Sequence, residues 1–123
     1  MKLVIAGSRD LYAMDILQNA IVHFGLATKI EEIVHGGCRG VDSSAGKLAE
    51  MTGIRCKVFT PLWATHGKSA GPKRNKQMAE YGDALLLVWV GDSTKSPGSY
   101  SMKHEMLKLC KPVYEVVLAK YNG

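Results

Sequence analysis

Hydrophobic and polar positions along this chain fall into blocks whose period switches between that of a strand and that of a helix. Lys2 to Ala6 is a short apolar run ending at Gly7-Ser8-Arg9-Asp10, which reads as a strand followed by a loop. Leu17, Ala20, Ile21 and Phe24 then recur at i, i+3, i+4 and i+7, an amphipathic helix, with Asp15 and Gln18 at capping-box spacing before it and Gly25 closing it. Ile30 to Val34 predicts a second strand. Asp42 to about Thr52 predicts a second helix, with Ala45, Leu48 and Ala49 inward and Gly53 as its stop. Arg55 to Phe59 reads as the third strand. Gly71-Pro72 starts a third helix, since proline at the first helical position loses no hydrogen bond, and that helix runs to Tyr81 with Gly82 beyond. Asp83 to Val90 is the most continuously apolar segment, as a central parallel strand covered on both faces requires. A loop rich in Ser, Gly and Pro follows. Met102, Met106, Leu109 and Cys110 give the last helical stripe, which Pro112 ends; Val113 to Leu118 is the last strand and Lys120 to Gly123 a short tail.

Strands and helices alternate without a repeat, a linker or a low-complexity segment, so residues 1–123 read as one domain of class α/β. Regular alternation predicts a doubly wound parallel five-stranded sheet with helices on both faces, and right-handed crossovers put all the strand-to-helix loops at one edge. With the order 3-2-1-4-5, a crevice opens between strands one and four, where the loops Gly7 to Asp10, Gly36 to Asp42 and Gly91 to Ser99 meet and the loop carrying Gly71 to Asn75 borders them.

Composition narrows this picture. A chain of 123 residues, 46% hydrophobic and 22% charged, supports a single sizeable core and excludes a disordered or membrane-embedded class. No apolar run approaches the ~18 to 20 residues of a membrane span, and nothing resembles a signal peptide, so the expected location is cytoplasmic. Cys38, Cys56 and Cys110 are scattered and lack metal-ligand spacing; neither a disulfide framework, a metal nor a cofactor is expected. The net charge of +5 favours an anionic partner without selecting nucleic acid, because the Lys and Arg residues are spread along the chain rather than gathered in a basic run.

Two stretches carry candidate chemistry. In His35-Gly36-Gly37-Cys38-Arg39-Gly40-Val41-Asp42 the glycines sit where a strand turns into a helix, and helix N-termini bind anions. Arg39 adds a fork suited to phosphate or carboxylate, and Asp42 at the expected N-cap would accept from the first turn. The bland alternative is a tight loop with a capping Asp. In Pro61 to Asn75, Asn75 shares a helix face with Met78 and Ala79, so its amide points inward and either ties down a loop or meets a ligand. Lys68, Lys73 and Arg74 crowd a helix start, where cations oppose the dipole unless an anion sits among them. His35 and His66 flank loops and could serve as acid or base, while Cys38, with Arg39 beside it, has no assignable histidine partner and is not expected to be a catalytic thiol.

These segments also carry a resemblance. Ala6-Gly7-Ser8-Arg9-Asp10, then His35 to Asp42, then Trp63 with Gly67-Lys68-Ser69-Ala70-Gly71-Pro72-Lys73-Arg74-Asn75, then Trp89 with Ser93, resemble in order the motifs of the small Rossmann-like SLOG superfamily, and within it the branch related to YspA. The resemblance covers nearly the whole chain, and Gly-Pro-Lys-Arg-Asn is its most specific element. It implies a doubly wound Rossmann-like fold binding a nucleotide or nucleotide-derived ligand, in dimers or larger assemblies. The superfamily includes cytokinin-activating phosphoribohydrolases, DNA-processing proteins and sensors of nucleotide signals in bacterial immunity. Gly98-Ser99 stands where its last motif usually has Gly-Thr, and the glutamate that the phosphoribohydrolases place in the next turn is replaced by Tyr100, Ser101, Met102 and Lys103.

The resulting expectation is a binding site. In it the backbone of Gly36, Gly37 and Gly98, the hydroxyls of Ser8 and Ser99, and Arg9, Arg39 and Arg74 hold phosphate; Asn75 and Asp42 orient ribose or base; Trp89 lines the pocket; and Gly7, Gly71 and Ser93 complete it. The alternative is a nucleoside 5′-monophosphate N-glycosidase using Asp42 or Asp10 as the carboxylate beside the sugar, although Asp42 fits a cap well, Asp10 can pair with Arg9 and Asp92 reads as a turn residue. A DNA-binding accessory role ranks last.

Overall fold

The computed structural model describes residues 1–118. Five runs of apolar residues become strands: β1 (Lys2–Gly7), β2 (Glu32–His35), β3 (Arg55–Val58), β4 (Ala84–Trp89) and β5 (Val113–Val117). They form one sheet in the order β3-β2-β1-β4-β5, every neighbouring pair parallel. In register, Val4 lies opposite Val34 on one side and Leu85 on the other. All six residues of β4 are buried, as its unbroken apolar run predicts, whereas edge strand β3 is exposed throughout.

The helices are α1 (Met14–His23), α2 (Val41–Thr52), α3 (Trp63–His66), α4 (Ala70–Tyr81) and α5 (Pro97–Lys108). Alternate strand residues point to opposite faces, so the sheet carries two cores. Leu3, Ile5, Ile33, Leu86 and Val88 pack with Leu17, Ile21 and Leu48 of α1 and α2. Val4, Val34, Leu85, Leu87 and Trp89 pack with Met78 of α4 and Met102 and Met106 of α5. Each fully buried Leu, Ile or Met contributes about 1.5–3 kcal/mol of transfer free energy.

The element boundaries shift from expectation where side chains are recruited elsewhere. Asp15 does not cap α1: it lies in the first turn, Ala13 holds the N-cap, and no side chain caps the helix. Strand β2 begins at Glu32 rather than Ile30, because pairing with β1 starts at Lys2 opposite Glu32. Helix α4 begins before Pro72, at Ala70, after a 3₁₀ turn over Gly67–Ser69 and the short α3, neither of which the periodicity indicates. Helix α5 extends back from its methionine stripe to Pro97. The expected tail Lys120 to Gly123 lies outside the described residues.

Candidate functional site

The loops after β1, β2 and β4 meet over the C-terminal ends of the strands, with the start of α5 and one face of α4, around a crevice of about 600 Å3. Ser8, Arg9, Cys38, Arg39, Lys95 and Ser96 line it together with Asp42, Arg74, Asn75, Gly98 and Ser99. Ala6, Leu11, Met78 and Met102 supply apolar wall.

The glycine loop after β2 is held from within. Asp42 is buried, and its Oδ2 accepts from the backbone N–H of Gly36 at 3.1 Å and of Cys38 at 3.2 Å. His35, also buried, accepts from the Gly37 N–H at Nδ1, 3.0 Å away. Two expectations are corrected by this. Asp42 is not the cap of α2, a position taken by Gly40 at a positive φ of 75°; its carboxylate turns back into the loop, where two N–H groups would otherwise be orphaned. The Gly36 and Gly37 N–H groups, expected to hold phosphate, are engaged by Asp42 and His35; neither glycine lines the main crevice, and both line a second cavity beside it. Burial pushes the Asp42 carboxyl above its usual range, and the Cys38 N–H, the Arg74 guanidinium and the Gly36 N–H oppose that rise. Burial, with the nearby Arg74 charge, pushes His35 below its usual value, so the neutral ring that accepts from Gly37 is the favoured form.

Arg74 crosses from α4 to this loop. Its Nη1 donates to the Gly36 carbonyl at 2.5 Å and its Nε to Asn75 Oδ1 at 2.9 Å, while Nη1 and Nη2 lie 3.9 and 4.0 Å from the Cys38 sulfur. Gly36 is what permits the crossing, since a Cβ there would collide with the guanidinium and sit 3.1 Å from the Asp42 carboxylate. Arg74 is only 7% exposed and, among the described residues, no carboxylate oxygen comes within ion-pair distance of it. Its direct hydrogen-bond partners are all neutral and Asp42 acts on it only from beyond ion-pair distance, a costly arrangement for a buried cation.

Asn75 is buried as its spacing predicts, but its amide is already engaged. Oδ1 accepts from Arg74, and Nδ2 donates to the Gly98 carbonyl and to Ser101 Oγ, each at 3.3 Å, so Asn75 ties α4 to the start of α5. Ser99 is buried with its Oγ 2.6 Å from Ser96 Oγ. Ser8 Oγ is different: it is buried at the crevice wall without a hydrogen-bond partner among the described residues. Gly7 lies beside it at the end of β1.

The remaining expected residues scatter. Arg39 pairs with Asp10 at 3.0 Å on the rim, where the two side chains are 67% and 88% exposed, so Asp10 has none of the desolvation a catalytic carboxylate needs. Trp89 does not line the crevice; it is buried in the second core and its Nε1 donates to Glu115 Oε2 at 2.7 Å. Gly71 lies against Trp63, away from the crevice. Ser93 is exposed in a turn organised by Asp92, which accepts from the N–H and hydroxyl of Thr94. Lys95 and Ser96 also line the crevice, though neither was singled out: they sit in the loop Gly91 to Ser99 that the strand order puts there, and an aperiodic loop does not show which of its residues face inward.

Among the described residues no group of three or more His, Cys, Asp or Glu side chains is placed to hold a metal ion, and no helix is long and apolar enough to cross a membrane. A scan against protein-family models and searches of curated proteins and of solved structures found no match to this chain.

Proposed function

We propose that the protein binds a nucleotide or nucleotide-derived ligand at the C-terminal edge of its sheet, with the ligand's phosphate against Arg74. The observation that carries this is the buried guanidinium with no carboxylate in contact, lining a crevice where Ser8 Oγ also lacks a partner. A phosphate there would neutralise a desolvated charge and accept from the hydroxyl in one step. The first turn of α5, which enters the crevice at Gly98 and Ser99, adds unpaired N–H groups and the positive end of the helix dipole. The apolar wall of Ala6, Leu11, Met78 and Met102 suits a sugar or base edge, and the crevice is within the ~300–1,000 Å3 of small-ligand sites. The positive net charge draws anions towards the mouth. The ordered resemblance to the SLOG superfamily supports a nucleotide over a simple anion.

Native mass spectrometry with a pool of mono-, di- and cyclic nucleotides tests the proposal and reports assembly size, expected to exceed a monomer. An intact nucleotide adduct that weakens at least about tenfold in Arg74→Lys is the expected result, because lysine cannot reproduce the three-way contact of the planar fork. Binding indifferent to that substitution refutes the phosphate position. A second reading, hydrolysis of a nucleoside 5′-monophosphate at its N-glycosidic bond, is favoured by one feature: Asp42 is a buried carboxyl of raised pKa in the crevice wall. Release of free base, abolished in Asp42→Asn, would establish it.

A further inference from the structure

A second cavity of about 420 Å3 lies on the other side of the glycine loop. Thr60, Pro61 and Trp63, from the segment after β3, form its outer wall, and it shares Arg9, Cys38 and Arg39 with the main crevice. The two spaces are thus neighbours across one seam, and the seam carries two guanidinium groups. We propose that the ligand is a dinucleotide: one nucleoside in the main crevice with its phosphate against Arg74, the second phosphate of the bridge at Arg9 and Arg39, and the second base stacked on Trp63. This rests on the nucleotide reading and extends it.

Three observations support it. First, the two tryptophans of the chain are treated in opposite ways: Trp89 is 4% exposed and hydrogen-bonded, whereas Trp63 stands 52% exposed at the edge of a cavity. Second, Trp63 is seated on the helix that carries Arg74, since a Cβ at Gly71 would lie 3.5 Å from its ring. An indole backed by a helix and open on a cavity is a stacking platform, and every base has a face to offer it. Third, the main crevice already has the volume of a small-ligand site, so a mononucleotide would leave the second cavity and Trp63 without a role. Arg39 is available for this, because its contact with Asp10 is between two largely exposed side chains and is weakly held.

The test compares the four ribonucleoside 5′-monophosphates with the four homodimers bridged 5′ to 5′ through pyrophosphate, by calorimetry and by tryptophan fluorescence. The expected result is tighter binding of a dimer than of its monomer by about 5- to 150-fold, the worth of one stacked base, with quenching of Trp63 emission by the dimer. Trp63→Ala should abolish the difference between dimer and monomer, and Trp63→Phe should restore most of it by returning a ring. Equal affinity of monomer and dimer in the wild type, or an equal loss for both classes in Trp63→Ala, overturns the dinucleotide inference while the phosphate site stands. Failure of every monomer and dimer to bind overturns the nucleotide reading itself and this inference with it.

Discussion

The two glycine-containing loops that face each other across the crevice are built on opposite principles. The loop after β2 is held by buried ionisable groups: Asp42 takes two backbone N–H groups, His35 takes a third, and Arg74 reaches across to a carbonyl. The loop after β4 is held chiefly by a local turn at the surface, where Asp92 accepts from Thr94 two residues on, with one hydroxyl bond from Ser96 to Ser99 at its end; the Thr94 bonds hold the Asp92 carboxyl below its usual range. A buried, fully committed loop resists deformation and fixes the charge it carries, while a surface turn can change without disturbing the core. The rigid side therefore positions Arg74, and the surface turn is the pliable side.

The sharpest way to break the contrast is Asp42→Ala. It orphans the Gly36 and Cys38 N–H groups, at about 1–3 kcal/mol each, so denaturant unfolding should show a loss of about 2–6 kcal/mol. Gly36→Ala comes next: the added methyl must displace the bonded guanidinium, costing about 1–3 kcal/mol and lowering nucleotide affinity together with stability. A third effect is pH. The folded pKa of His35 lies below its usual 6.5, so the stability it contributes is complete above that value and is lost as pH falls through it towards the folded pKa. Melting temperature should drop between about pH 7.5 and pH 5.5, and His35→Gln should flatten that slope. Asp42 acts with the opposite sign, because its raised folded pKa relieves a burial penalty as pH falls towards 3.8, so the two slopes can be separated by the substitution. Smallest of all, Asp92→Ala in the surface turn should leave the melting temperature unchanged within error, and a clear drop would mean that the loop after β4 is not the pliable one.

Much of this site was visible along the chain, but in a different currency from the one the molecule uses. Glycine spacing located the loop after β2, and helical spacing turned Asn75 inward; both placements hold. What the residues do there was not legible. Gly36 suggested an open N–H cradle, yet it is bare so that Arg74 can lie over it. Asp42 at the start of a helix suggested a cap, yet capping and loop closure use the same short carboxylate, and the choice depends on which N–H groups lack other partners. Trp89, quoted within a motif, was expected to line the pocket, yet Glu115, on a strand distant in sequence, meets its indole N–H and it packs in the core. Trp63, quoted within a motif but given no role, is the tryptophan that faces a cavity.

Local spacing alone determined the alternation of strands and helices, the buried status of β4 and the edge at which loops gather, because periods of two and 3.6 residues and the handedness of crossovers are properties of the chain itself. Tertiary structure alone decided that the N–H groups of Gly36, Gly37 and Cys38 are consumed, that Arg74 is buried with no carboxylate in contact, and that two cavities share one basic seam. Those outcomes depend on partners far apart in sequence, Gly36 with Arg74 and Arg9 with Trp63, and hydrogen-bond satisfaction and desolvation act on what is near in space.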